Sequence, residues 1–143
     1  MQIPGLISQQ SFSFDLPAPY VAGIEDATRF VGLLSSVANE MQDKSCSLVH
    51  EAGLAYLALR NIAMSLSFSL QKRVDFTRYS PLNVSTSLAI RPPCSSADFE
   101  ALVAARHASQ RGFLPPAIDR GNFSYVINRS LEWTNTVLEK ANE

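Results

Sequence analysis

Residues Ser47 to Lys72, SLVHEAGLAYLALRNIAMSLSFSLQK, carry charge only at Glu51, Arg60 and Lys72 and contain no proline. Within them Leu48, Ala52, Ala55, Leu59, Ile62, Ala63, Leu66 and Leu70 recur at steps that fit a 3.6-residue period, which predicts one long helix with a continuous apolar face. Gly53 weakens such a helix by about 1 kcal/mol relative to alanine. Its place among Ala52, Ala55, Ala58 and Ala63 predicts that another helix approaches closely there. The segment Phe76-Thr77-Arg78-Tyr79-Ser80-Pro81 follows, and a residue before proline is pushed out of helical geometry. The helix is therefore expected to stop near Arg73.

Upstream, Ile24, Ala27, Val31, Leu34, Ala38 and Met41 recur at spacings of three and four and predict a helix from about Ile24 to Asp43. Glu25 and Asp26 fall in its first turn, where carboxylates suit the helix dipole, and Phe30 and Val37 widen the seam. Residues 1–20 read as an extended arm: Ser11-Phe12-Ser13-Phe14 alternates, and Pro17 and Pro19 exclude a helix interior. Residues 76–95 form a connector with room for a short helix from Pro81. Ser95 or Ser96 is a good N-cap for a third helix running to about Arg111, which Gly112, Pro115 and Pro116 end. A last helix is expected from near Asn122, with Phe123, Val126, Ile127, Leu131, Thr134, Val137, Leu138 and Ala141 on its apolar face and Trp133 at the edge of that face. The expected fold is all-α: one domain over 1–143, four principal helices in an up-down bundle over 24–141, and the extended N-terminal arm.

Composition limits the chemistry. The chain has 143 residues, is 46% hydrophobic and has a net charge of −1, so it can bury a core and its bulk charge names no partner. Its charge is uneven: nine basic and four acidic residues lie between Arg60 and Arg129, against three and nine elsewhere. A central basic bias suits phosphate. Cys46 and Cys94 are far apart, match no metal-ligand spacing and read as reduced thiols. The first ten residues have no basic start and no apolar core of a signal peptide, and apolar runs are too short to span a bilayer. A cytoplasmic, non-membrane protein is expected, without metal or cofactor. No phosphate-cradling glycine loop, nucleophile elbow or His/Asp/Glu metal cluster is present, and Asp98 and Glu100 point in different directions on one helix.

The long second helix with Leu59-Arg60-Asn61-Ile62-Ala63, the segment Phe76-x-Arg78-Tyr79-Ser80-Pro81 and the final amphipathic helix together resemble the HEPN family. That resemblance implies a small helical bundle that dimerises and accompanies a nucleotidyltransferase. Active members look like metal-independent ribonucleases that use an Arg, a polar residue and a His about a turn further on. Arginine holds a scissile phosphate with its planar fork, and histidine exchanges protons near neutral pH. Here Ser65 stands where that histidine is expected, and a serine hydroxyl is no proton shuttle at pH 7.

His50 lies ten residues before Arg60, about 15 Å along the helix axis, which is too far. His107 is the histidine that a folded bundle could bring near, within Arg106-His107-x-Ser109-x-Arg111. The reading is thus a non-catalytic HEPN-like accessory module. It is expected to form a homodimer, to associate with a nucleotidyltransferase-type or nucleic-acid-handling partner, and to bind RNA or a nucleotide. Arg60, Asn61, Arg78, Tyr79, Arg106 and Arg111 are its candidate binding residues. The alternative is a metal-independent ribonuclease rebuilt on Arg60 and His107.

Overall fold

The computed structural model describes residues 23–66, 70 and 80–142; their regular secondary structure is helical, joined by turns and loops, with no strand among them. The elements are α1 (Gly23–Glu40), α2 (Leu48–Ser65), α3 (Pro81–Leu88), α4 (Ser96–Arg111) and α5 (Arg120–Ala141). The arm expected over residues 1–20 lies outside the described residues. α2 ends at Ser65, well before the expected stop near Arg73: at its C-cap, Leu66, the backbone leaves helical geometry (φ −93°, ψ 5°) and the amide donates to the Ile62 and Met64 carbonyls, which closes the last turn.

Local chemistry sets the boundaries. Ser47 caps α2 by accepting from the His50 amide at 3.2 Å, and Ser95 caps α4 by accepting from the Asp98 amide at 3.1 Å. Ser80 caps α3, with Pro81 in its first turn. α4 ends at Gly112, whose φ of 70° is the left-handed conformation that glycine adopts without a Cβ clash. α1 stops at Glu40, earlier than the expected Asp43. The Asp43 carboxylate accepts from both the amide and the hydroxyl of Ser45, and these local bonds compete with continuation of the helix. α5 begins at Arg120 rather than Asn122, because Asp119 is its cap and accepts from the Asn122 amide at 2.7 Å.

α2 is the centre of the fold. It packs along α1 and α4 and also meets α3 and α5, while α1 lies against α5 as well. Ala52, Ala55, Ala58, Leu59, Ile62 and Ala63 are fully buried, so the predicted apolar face of α2 is the core. Trp133 departs from its expected place at the edge of the last helix. It is 1% exposed, and its indole N–H donates to the Ser85 hydroxyl at 2.6 Å. A side chain of that size is buried once its single N–H has an acceptor.

Three arginines of the basic central region hold the fold together. Arg120 donates to the carbonyls of Met41 (2.9 Å) and Lys44 (3.0 Å), tying the α1–α2 turn to α5. Arg129 donates to the Pro92 carbonyl at 2.9 Å and pairs with Glu132, and Arg91 donates to the Tyr125 hydroxyl at 2.7 Å. The central basic bias is therefore partly structural.

Glu51 is a buried acid, 5% exposed, in the first turn of α2, and its Oε1 has no hydrogen-bond partner. Burial pushes its carboxyl above the ordinary value of 4.5; His50 opposes this and Glu40 adds to it. Because the folded value is raised, the stability that neutral Glu51 contributes is present below pH 4.5 and lost as pH rises through the folded value. Glu51→Gln removes the titrating charge and is expected to abolish that loss, so that its stability changes less between pH 4 and pH 7 than that of the wild type. Urea titrations of both proteins at pH 4 and pH 7 check this. Parallel pH dependence in the two would show that Glu51 is not the titrating group.

Candidate functional site

The site is built by two helices that touch. A Cβ added to Gly53 would sit 3.2 Å from the Cα of Arg106 and 3.6 Å from the carbonyl oxygen of Ala105. Only a glycine lets the α4 backbone come this near α2 without displacement. The close approach anticipated at Gly53 is thus made by α4. Beyond this contact, side chains of the two helices line a cleft of about 250 Å³: Tyr56, Leu57 and Arg60 from α2, with Arg106, His107, Gln110 and Arg111 from α4.

The spacing explains the grouping. Residues 56 and 60, 106 and 110, and 107 and 111 are each one helical turn apart and share a face. Tyr56 is braced from the α4 side by Phe99, their ring centroids 5.7 Å apart and their planes tilted by 57°. His107 meets the ring of Phe113 edge-on, with centroids 6.2 Å apart. None of the described residues that line the cleft is acidic. Three arginines therefore line one concavity whose partly apolar walls concentrate their field. Burial pulls the Arg106 pKa below its ordinary value, while Tyr56 works in the other direction. A partly desolvated guanidinium regains favourable interaction when an anion enters beside it.

The structure brings together four residues singled out from the sequence, Arg60, Arg106, His107 and Arg111. Asn61 is not among them. It is 1% exposed, donates from Nδ2 to the Leu57 carbonyl at 2.8 Å, and faces the core rather than the cleft. Ser65 is also buried, 2% exposed. Five residues along a helix rotate the side chain by about 140° from Arg60, so position 65 does not share the cleft. His50 lies outside the lining as well. Arg78 and Tyr79 lie outside the described residues.

Tyr56, Leu57 and Gln110 were missed as site residues, although their helical offsets from Arg60 and Arg106 are legible. Ser109 is exposed and is not part of the lining. Among the described residues no three His, Cys, Asp or Glu side chains gather as metal ligands. Cys94 is buried, and burial followed by the charge of Asp98 pushes its thiol up to about 12, which makes it inert at neutral pH. No helix among the described residues is long and apolar enough to cross a membrane. Comparisons with family models, with curated proteins and with solved structures return no match for this chain.

Proposed function

We propose that this chain is a helical module that binds a phosphate-bearing ligand, RNA or a nucleotide, in the cleft between α2 and α4. The observation that carries this reading is the convergence of Arg60, Arg106 and Arg111 on one concavity with no acidic residue in its described lining. Planar guanidinium groups match phosphate oxygens in pairs, and a set of them makes affinity steeply dependent on salt. The test is binding of a labelled RNA to the wild type and to Arg106→Gln and Arg111→Gln, across a range of salt. Each substitution is expected to weaken binding by roughly tenfold and to lower the salt slope by about 0.7 for each phosphate that is no longer neutralised. Helical content is expected to stay unchanged. Equal affinities for all three proteins would defeat the reading.

A second reading is favoured by one specific observation: His107 lines the same cleft as Arg60. In a metal-independent ribonuclease built on this pair, Arg60 would hold the scissile phosphate and His107 would take the proton of the 2′-hydroxyl. The 2′ oxygen would then displace the 5′ oxygen from phosphorus, which leaves a 2′,3′-cyclic phosphate and, with a proton from water, a 5′-hydroxyl. The binding assay run on a gel reads this directly. Cleavage with a bell-shaped pH profile that vanishes in His107→Ala would promote the module to an enzyme. Intact RNA would leave it a binding module.

Our reading also carries the HEPN-like assignment and its up-down bundle behind an extended arm, a homodimer, a nucleotidyltransferase-type partner and a cytoplasmic setting. The missing motif histidine at Ser65 supports an accessory rather than a catalytic role in such an assembly. Light scattering that returned the mass of a single chain would remove the homodimer.

A further inference from the structure

The loop that leaves α4 carries the two most exposed large apolar side chains among the described residues, Phe113 at 55% and Leu114 at 93%. A lone exposed apolar side chain is ordinary; what singles out this pair is that the two are adjacent and stand beside the basic cleft. Gly112 turns the chain at φ 70°, and Pro115 and Pro116 restrict the backbone just beyond. Phe113 also has an aromatic neighbour, since its ring stands perpendicular to that of His107, and His107 lines the basic cleft. A half-exposed aromatic ring therefore stands at the rim of a concavity lined by three arginines.

We propose that Phe113 is a stacking platform for a nucleobase, so that the cleft and its rim together take single-stranded RNA in preference to a duplex or to phosphate alone. This rests on the phosphate-binding reading of the cleft. The arginines face the backbone of the strand, and the ring offers an apolar face to a base that is not already stacked in a helix. Single-strand binders combine these two features, a cationic groove and an aromatic surface, without needing to read sequence. A paired duplex cannot present such a base without unstacking it. Leu114 extends the apolar rim on which the base would rest.

Three probes separate the parts: a labelled oligouridylate of about ten nucleotides, within the range of single-strand site sizes, an RNA duplex of the same length, and inorganic tripolyphosphate, which has no base. Phe113→Ala is expected to weaken binding of the single strand by about tenfold and to leave the duplex and tripolyphosphate unchanged, while Phe113→Trp retains the single-strand affinity. Phe113 is half exposed, so the alanine variant is expected to fold as the wild type does. If Phe113→Ala binds the single strand as well as the wild type while Arg106→Gln does not, the platform is wrong and the cleft reading stands. If neither substitution changes binding of any probe, both are wrong.

Discussion

Trp133→Ala is expected to lower the free energy of unfolding by about 3–5 kcal/mol, the range for truncating a large buried aromatic side chain. Trp133 is the largest fully buried side chain in the fold, and it does two jobs. Its ring fills the core on α5, and its N–H donates to the Ser85 hydroxyl, which in turn donates to the Pro81 carbonyl at 2.7 Å. This relay anchors α3, a helix of eight residues that would be marginal on its own.

Ser85→Ala isolates the polar part. It strands the indole N–H in the core and is expected to cost about 1–3 kcal/mol. Trp133→Phe combined with Ser85→Ala removes both partners and is expected to cost less than the two single losses added together. Since Trp133 is the only tryptophan, the alanine variant has no indole fluorescence, and circular dichroism in urea is the measurement. A loss under 1 kcal/mol for Trp133→Ala, roughly the scale of an exposed substitution, would mean that the residue does not hold the core.

Gly53→Leu is the second large effect, and it acts on stability and on the cleft at once. Overfilling a packed contact costs about 1–3 kcal/mol and occasionally more, while replacing glycine within a helix returns up to about 1 kcal/mol. At Gly53 the obstacle is the α4 backbone at Arg106, which cannot step aside as a flexible side chain can. The leucine variant is therefore expected to lose about 2 kcal/mol net, and forcing α4 outward is expected to cut RNA affinity by roughly tenfold by moving Arg106 away from Arg60. Gly53→Ala adds one carbon, so the helix gain and the contact penalty nearly cancel. Urea midpoints at equal m-values, read beside RNA binding, check the pair. A leucine variant as stable as the wild type would show that α2 and α4 do not meet there.

Much of the helical layout could be read from neighbouring residues. Ser47, Ser95 and Gly112 act within one turn of the ends that they set, and the face of α2 follows from its period. The structure departs from expectation where side chains make bonds that a periodic pattern does not record, whether two residues away or far along the chain. α1 ended early through the Asp43–Ser45 bonds, and Trp133 moved from the edge of its face into the core because Ser85, far off in sequence, offered an acceptor. Asn61 looked like half of a functional dipeptide. The helix turns by about 100° per residue, and that one step takes it from the cleft at Arg60 into the core.

The sequence by itself determined that the described chain folds as helices, where most of them begin, and that α2 would let a neighbour come close at Gly53. These properties come from side-chain period and capping, which operate over three or four residues. Only the tertiary structure decided which basic residues tie connectors in place and which come to share a cleft. Arg91, Arg120 and Arg129 reach backbone and side-chain oxygens that fix connectors, whereas Arg60, Arg106 and Arg111 share one concavity. That division depends on how α2 and α4 pack, a meeting of residues distant in the chain, and charge or spacing read along the sequence holds no record of it.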